Sequence, residues 1–340
     1  MENRPKIIVT GGAGFIGSHT VVELIEAGYM PVIIDDFSNS QEWIIDCLCI
    51  LAESAIMYYN VDCKNYETMH EIFMGLGDIE GIIHFAAFKS VGESVSSPLK
   101  YYNNNIGSLT TILQLVEDFS IPKLVFSSSC TVYGQADQLP VTELTPIKKA
   151  ESPYGYTKQV GEQLINDTLK DGAVILRYFN PIGAHPSGLI GELPNGKPEN
   201  LVPYITQTAA GIRDELQVFG NDYNTLDGTC LRDYIHVVDL ARAHVKALQY
   251  LDDNCATNTF NVGTGKGNSV LEMINTFEAV NQVKLNYKIV PRREGDIEQI
   301  YADTTKANTV LKWKAQYGIK EALRDAWNWE LKIQEMKLSA

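Results

Sequence analysis

A tyrosine and a lysine stand four residues apart in SPYGYTK, Ser152 to Lys158, directly after a serine and a proline. Ser152 suits the cap of a helix and Pro153 its first position. Tyr154 then falls in the first turn, with Lys158 one turn later on the same face. A free phenol has a pKa of about 10. An adjacent ammonium and a helix N-terminus both favour the phenolate, which makes an otherwise inert side chain a general base for a hydroxyl proton near neutral pH. Alone, Tyr-x-x-x-Lys is a weak signal, because such pairs arise by chance on helices. It gains weight from SSSCTVYG, Ser127 to Gly134, at the end of an apolar run. Ser129 can hydrogen-bond the same substrate oxygen as Tyr154, whereas Ser127 and Ser128 read equally well as loop residues that satisfy backbone groups.

A second chemistry-bearing stretch lies near the N-terminus. TGGAGFIG, Thr10 to Gly17, places G-x-G-x-x-G at Gly12, Gly14 and Gly17, between a strand-like run and a helical stretch that reaches about Ala27. Such glycines let the backbone turn tightly against a pyrophosphate, whose charge meets free N–H groups and the positive end of the helix. About 20 residues on, the next apolar run ends at Asp35, whose carboxylate can accept both hydroxyls of an adenosine ribose. Asp35 and Asp36 would repel a 2′-phosphate, so NAD is favoured over NADP. Asp62, after YYNV, is a further candidate, for the adenine amino group.

The elements that must carry these residues follow from apolar patterning. Strand-like runs occur at residues 6–10, 31–35, 55–59, 81–86, 123–128 and 173–179, separated by stretches of helical period. Near-continuous apolar strands alternating with helices predict a parallel sheet covered on both faces. From Asn180 to Asn200 the chain is crowded with Gly, Pro and Asn, which predicts an irregular boundary. Beyond it, short strands (LQVFG, TFNVG, LNYKIV) and helices near 237–250, 269–280 and 320–334 suit a smaller lobe. The expected architecture is α/β: a Rossmann-type doubly wound parallel sheet over residues 1–179, with a smaller α+β substrate-binding domain over 180–340, some of whose segments pack back on the first.

Composition excludes several partners. The 340-residue chain carries a net charge of -14 and a pI near 4.9, so its average surface repels nucleic acids and anionic membranes. Its six cysteines form no C-x-x-C pair and no zinc spacing, and read as reduced thiols. MENRPKIIVTGG runs directly into a strand-like segment, and no apolar run approaches the roughly 18 residues of a membrane helix, so a cytoplasmic location is expected. No metal site is suggested. His84, within an apolar strand, reads as a satisfied core residue, and His185 and His236 carry no assigned role.

From GGAGFIG through HFAAFKSVGES, YYNNN, SSSCTVYG, SPYGYTK, LRYFNPIGAHPSG, RDYIHVVDLA and FNVGTGKGNSV to PRREGD, the chain resembles the extended short-chain dehydrogenase/reductases. Among them it is most similar to the UDP-glucose 4-epimerase family. The resemblance implies a tightly held NAD that takes a hydride from C4 of a UDP-sugar and returns it to the opposite face. Tyr154 would then be base and acid, Ser129 a proton relay or orienting hydroxyl, and Lys158 the group that holds the nicotinamide ribose and lowers the Tyr154 pKa. Matching cofactor positions are Gly11, Gly12, Gly14, Phe15, Ile16, Gly17, Asp35, Asn39, Ser40, Asp62, Phe85, Ala86, Lys89, Asn104, Tyr154, Lys158 and Tyr178. For the UDP-sugar they are Ser129, Asn180, Asn200, Leu201, Phe219, Arg232, Arg293, Asp296 and Ile300.

In such relatives a large aromatic residue at the place of Ile300 accompanies restriction to UDP-glucose and UDP-galactose, and a small one accompanies acceptance of N-acetylated sugars. Isoleucine lies between, which implies good turnover of UDP-galactose and weaker turnover of UDP-N-acetylgalactosamine. A 4,6-dehydratase would need an acid and a base where this chain has Cys130 and Thr131. Epimerases of UDP-glucuronate stay open, and an NAD-sensing regulator is the non-enzymatic alternative, against which the retained Tyr154, Lys158 and Ser129 argue. The resemblance also implies a homodimer paired through helices near 99–119 and 153–169.

Overall fold

The runs rich in valine and isoleucine form strands in the computed structural model, which describes residues 4–293 and 296–339. The strands are β1 (Lys6–Thr10), β2 (Met30–Asp35), β3 (Met57–Asn60), β4 (Gly81–His84), β5 (Leu124–Ser129), β6 (Ala173–Tyr178), β7 (Asn180–Ile182), β8 (Leu216–Phe219), β9 (Leu231–His236), β10 (Asn258–Val262), β11 (Gly267–Ser269), β12 (Tyr287–Val290) and β13 (Gln299–Ile300). Seven of them make one sheet in the order β10-β6-β5-β4-β1-β2-β3. Every neighbouring pair in it is parallel. This is a Rossmann-type doubly wound sheet: the order reverses at β1, whose neighbours are β2 and β4, and opens a crevice at the carboxyl ends of the strands.

Both faces of this sheet are covered, which is why its strands lack alternation; Ile7, Ile8 and Val9 are all fully buried. One face packs beneath helices Phe15–Glu26 and Val237–Asp253, which lie against each other, with Val21, Leu24, Leu240 and Leu248 between helices and sheet. The other face takes helices Tyr66–Leu76, Gly107–Asp118 and Pro153–Thr168 through Phe73, Ile112 and Ile165.

TFNVG does not belong to the smaller lobe. As β10 it pairs with β6 and completes the main sheet, because Phe260 and Val262 find apolar neighbours there. The irregular stretch after Phe179 also holds a short strand, β7, paired with β9. In the smaller sheet β9 is flanked by antiparallel β11 and parallel β13, and β8 pairs with β12 separately. Helix Val270–Asn281, started by a capping box between Ser269 and Glu272, packs with helix Ile319–Ser339 over Met273, Phe277 and Leu323. The single helix expected over 99–119 is three pieces: Pro98–Tyr101, a π turn at Tyr102–Ile106, and Gly107–Asp118. The buried Asn105 explains the break. Its amide accepts from Phe88 N–H (2.9 Å) and donates to Phe88 O (3.0 Å) and Thr157 Oγ1 (3.1 Å), a fit a regular helix would rotate away.

Candidate active site

At the carboxyl end of β1 the chain turns through the glycines into helix Phe15–Glu26. Gly14 caps this helix and supplies no side chain to its first N–H groups, which keeps them for an anion. A β-carbon on Gly17 would stand 2.1 Å from Gly11 O, so only glycine lets helix and loop approach this closely. The loop opens on a cleft of about 620 Å³. Of the seventeen cofactor candidates, all but Gly12 line it; Gly12 instead packs against Val9 and Ile33 of the sheet.

Asp35 ends β2 inside this cleft. Its carboxylate accepts from Ala13 N–H (2.9 Å), Phe37 N–H (2.9 Å) and Ser40 Oγ (2.8 Å). A carboxylate has about four acceptor sites, so these three bonds leave Asp35 acceptor capacity toward the cleft. Ser40 brings its own hydroxyl to the same place. Burial raises the Asp35 pKa, and these three hydrogen bonds oppose it. Asp62 accepts from Lys64 N–H (2.9 Å) on the same wall.

Ser152 and Pro153 start the next helix as their types demand: Ser152 Oγ accepts from Gly155 N–H at 3.1 Å. Tyr154 and Lys158 consequently face the cleft together. Lys158 Nζ lies 5.9 Å from the centre of the Tyr154 ring and donates to Ser127 O at 2.6 Å. Burial pushes Lys158 down to about 8, with the Glu162 carboxylate working the other way. The Tyr154 phenol is 8% exposed. Burial raises its pKa, Tyr178 adds to that, and a hydrogen bond with Ser129 only partly opposes it. Desolvation disfavours the phenolate, and positive charge beside the phenol works the other way.

The candidates for the sugar nucleotide lie beyond the cleft wall in separate groups. Arg293 pairs with Asp296 (2.7 Å) and stacks over Phe219, 5.6 Å from its ring centre. Arg232, paired in register with Ile300, bonds Leu231 O at 2.8 Å. Ile300 is buried among Cys130, Val132, Tyr133, Val141 and Phe179. The buried Asp233 beside Arg232 ties this sheet down, accepting from Gly265 N–H (3.0 Å) and Ala302 N–H (3.2 Å). Asn200 caps helix Leu201–Ala209, and Asn180 lies in β7. Ser129, at the end of β5, accepts from Thr131 N–H at 3.3 Å, and Tyr154 faces the dinucleotide cleft.

Several residues of the site carry no readable motif. Ser127 and Ser128 are buried strand residues, not loop residues: the first supplies the carbonyl for Lys158 and bonds the Tyr178 hydroxyl, and the second donates to Glu162 Oε1 at 2.6 Å. Glu162 forms a fork with Arg177 (Nη2 to Oε2, 2.6 Å), locking the Tyr154 helix to β5 and β6. The spacing Tyr154, Lys158, Glu162 along one helix face was the available signal for Glu162; Arg177 had none. His84 is the satisfied core residue its strand implies, with Nδ1 2.8 Å from Thr10 Oγ1. No cluster suited to a metal occurs among the described residues, and none of their helices is long and apolar enough to cross a membrane.

The family model described as "NAD dependent epimerase/dehydratase family" matches residues 7–263. The UDP-glucose 4-epimerase of Dictyostelium discoideum is 49% identical over 332 residues, covering 96% of this chain and 95% of that one. Among solved structures, the UDP-glucose 4-epimerase of Stenotrophomonas maltophila, with bound NAD and formylated UDP-arabinopyranose, is 45% identical with a TM-score of 0.95, over 99% of this chain and 100% of that one. The Bifidobacterium longum enzyme, in complex with NAD+ and UDP, is 42% identical with a TM-score of 0.92, over 96% and 98%.

Proposed function

This chain belongs to the NAD dependent epimerase/dehydratase family, and on that premise we propose that it is a UDP-glucose 4-epimerase interconverting UDP-galactose and UDP-glucose with NAD. The observation that carries the reading is the Tyr154–Lys158 pair, buried in the wall of a dinucleotide cleft. The cleft fits NAD: the Gly14 cap leaves helix N–H groups open to a pyrophosphate, and Asp35 with Ser40 presents an acceptor and a hydroxyl to a ribose. When bound, NAD supplies the acceptor and donor of hydride for C4 of the sugar.

The chain's own groups handle the proton. Tyr154 Oη takes the proton of the O4 hydroxyl as that oxygen becomes a carbonyl, and gives it back when the alcohol re-forms. Ser129 orients the same oxygen. Lys158, anchored at Ser127 O, has two further N–H groups to hold the nicotinamide ribose. Its Nζ, 5.9 Å from the Tyr154 ring centre, favours the phenolate against desolvation, and an oxidised nicotinamide would add positive charge to the same end.

Arg293 and Arg232 supply planar forks for the pyrophosphate of the UDP-sugar, with Asn180, Asn200, Leu201, Phe219 and Asp296 around it. In this reading residues 1–179 bind the cofactor and 180–340 the sugar nucleotide, with β10 and helix Val237–Asp253 returning to the main sheet. A homodimer is part of the proposal, supported by Leu99 and Tyr156, which are exposed on the helices expected to pair. So is a cytoplasmic location, with which six free thiols accord.

The test is incubation of the purified protein with UDP-galactose, with and without added NAD, followed by chromatographic separation of the 4-epimers. Conversion is expected without added NAD; no conversion even with NAD supplied would refute the reading.

A further inference from the structure

Segment 191–195, far in sequence from the glycine loop, forms part of the wall of the same cleft. It is held from two directions. From the first half of the chain, Lys89 Nζ pairs with Glu192 Oε1 at 2.9 Å, and Gln41 Nε2 donates to Asn195 Oδ1 at 3.0 Å. From the C-terminal helix, Trp329 Nε1 donates to Glu192 O at 3.0 Å. The Trp329 indole stacks on Trp43 at 6.2 Å, and it lies so close to Gly191 that a β-carbon there would stand 2.5 Å from the ring.

Glu192 is the centre of this arrangement. Its side chain is only 9% exposed, and the oxygen that takes Lys89 also accepts from Asn200 Nδ2 at 2.6 Å. Lys89 in turn reaches over the first residue of the glycine-loop helix, its Nζ 6.0 Å from the Phe15 ring centre. A carboxylate beside a pyrophosphate site weakens anion binding unless a cation stands between them. Here Lys89 stands between, and the nearly buried Glu192 fixes it above the helix end where an anion is favoured.

We infer that Glu192 is a positioning residue of the cofactor site: through Lys89 it latches segment 191–195 across the cleft and slows release of the dinucleotide. This rests on the proposal that the cleft holds NAD, and it concerns residues outside the glycine fingerprint. The alternative role, a mere repulsive neighbour of the pyrophosphate, has the opposite sign. Removing its charge would then tighten NAD binding and slow release.

The experiment loads the full-length protein with NAD and chases it with excess etheno-NAD, following fluorescence. The parent, Glu192→Gln and Gln41→Ala are compared over a range of salt, with thermal melting of each recorded in parallel. Glu192→Gln is expected to release NAD about fivefold faster, the scale of one part-exposed ion pair, and with a shallower salt dependence than the parent. Gln41→Ala, which touches neither charge, is expected to release NAD about twofold faster. Unchanged or slower release from a folded Glu192→Gln overturns the inference, and if that variant does not fold, unchanged release from Gln41→Ala does so. A parent that binds no NAD overturns the underlying reading instead.

Discussion

Replacement of Glu162 by glutamine removes one negative charge from the most buried ion pair near the site. The Glu162 and Arg177 side chains are 5% and 7% exposed. One carboxylate oxygen accepts from Ser128 Oγ (2.6 Å) and Arg177 Nε (2.9 Å), the other from Arg177 Nη2 (2.6 Å). A glutamine keeps one acceptor and turns an N–H₂ toward a donor, leaving the guanidinium buried without its counterion. Breaking such a pair from one side costs about 3–5 kcal/mol. Unfolding entropy of about 2.1 cal/mol/K per residue gives about 0.7 kcal/mol/K for this chain, so the melting temperature should fall by about 4–7 °C. Arg177 keeps the Tyr133 hydroxyl at 3.1 Å, which favours the lower end. Scanning calorimetry of the parent and Glu162→Gln measures the loss. The double variant Glu162→Met with Arg177→Leu should recover most of it, since neither charge then stays behind. A fall of less than about 1 °C in the single variant would refute the claim that this pair locks the helix.

Tyr154→Phe should lower turnover of UDP-galactose by about 10²–10⁴-fold while NAD content and melting temperature stay near the parent's, because only proton transfer is lost; full activity would end the proposed mechanism. Lys158 titrates near 8 in the fold, below its ordinary value of about 10.4, so between these limits the unfolded chain binds more protons and the parent gains stability as pH rises. The stability of Lys158→Met relative to the parent should therefore decline across that window, by about 3 kcal/mol in all, in denaturant melts at several pH values; a flat difference would mean the buried ammonium is not strained. Ile300, packed against Cys130 and Phe179, should allow UDP-N-acetylgalactosamine only weakly beside UDP-galactose. Equal kcat/KM for the two sugars would contradict that reading.

Short-range chemistry in the chain foretold a great deal. The apolar runs of β1, β2, β4, β5 and β6, the Ser152–Pro153 helix start and the strand, glycine turn and helix at Thr10 to Glu26 depend on neighbours a few residues apart, and such neighbours are visible in a string of letters. The pairing of Tyr154 with Lys158 is of the same kind, one helical turn, as is the acidic end of β2.

What only the tertiary structure decided concerns partners far apart in the chain. β10 enters the main sheet because closure of the chain leaves an apolar edge beside β6, although its own sequence fits either lobe. Asn105 forces a π turn for the sake of Phe88 and Thr157; Glu162 finds Arg177, and Lys89 finds Glu192 103 residues away. The direction of the Tyr154 pKa belongs here too. Composition and spacing place positive charge near the phenol, but whether water reaches it is set by everything that packs around it, and that burial raises its pKa.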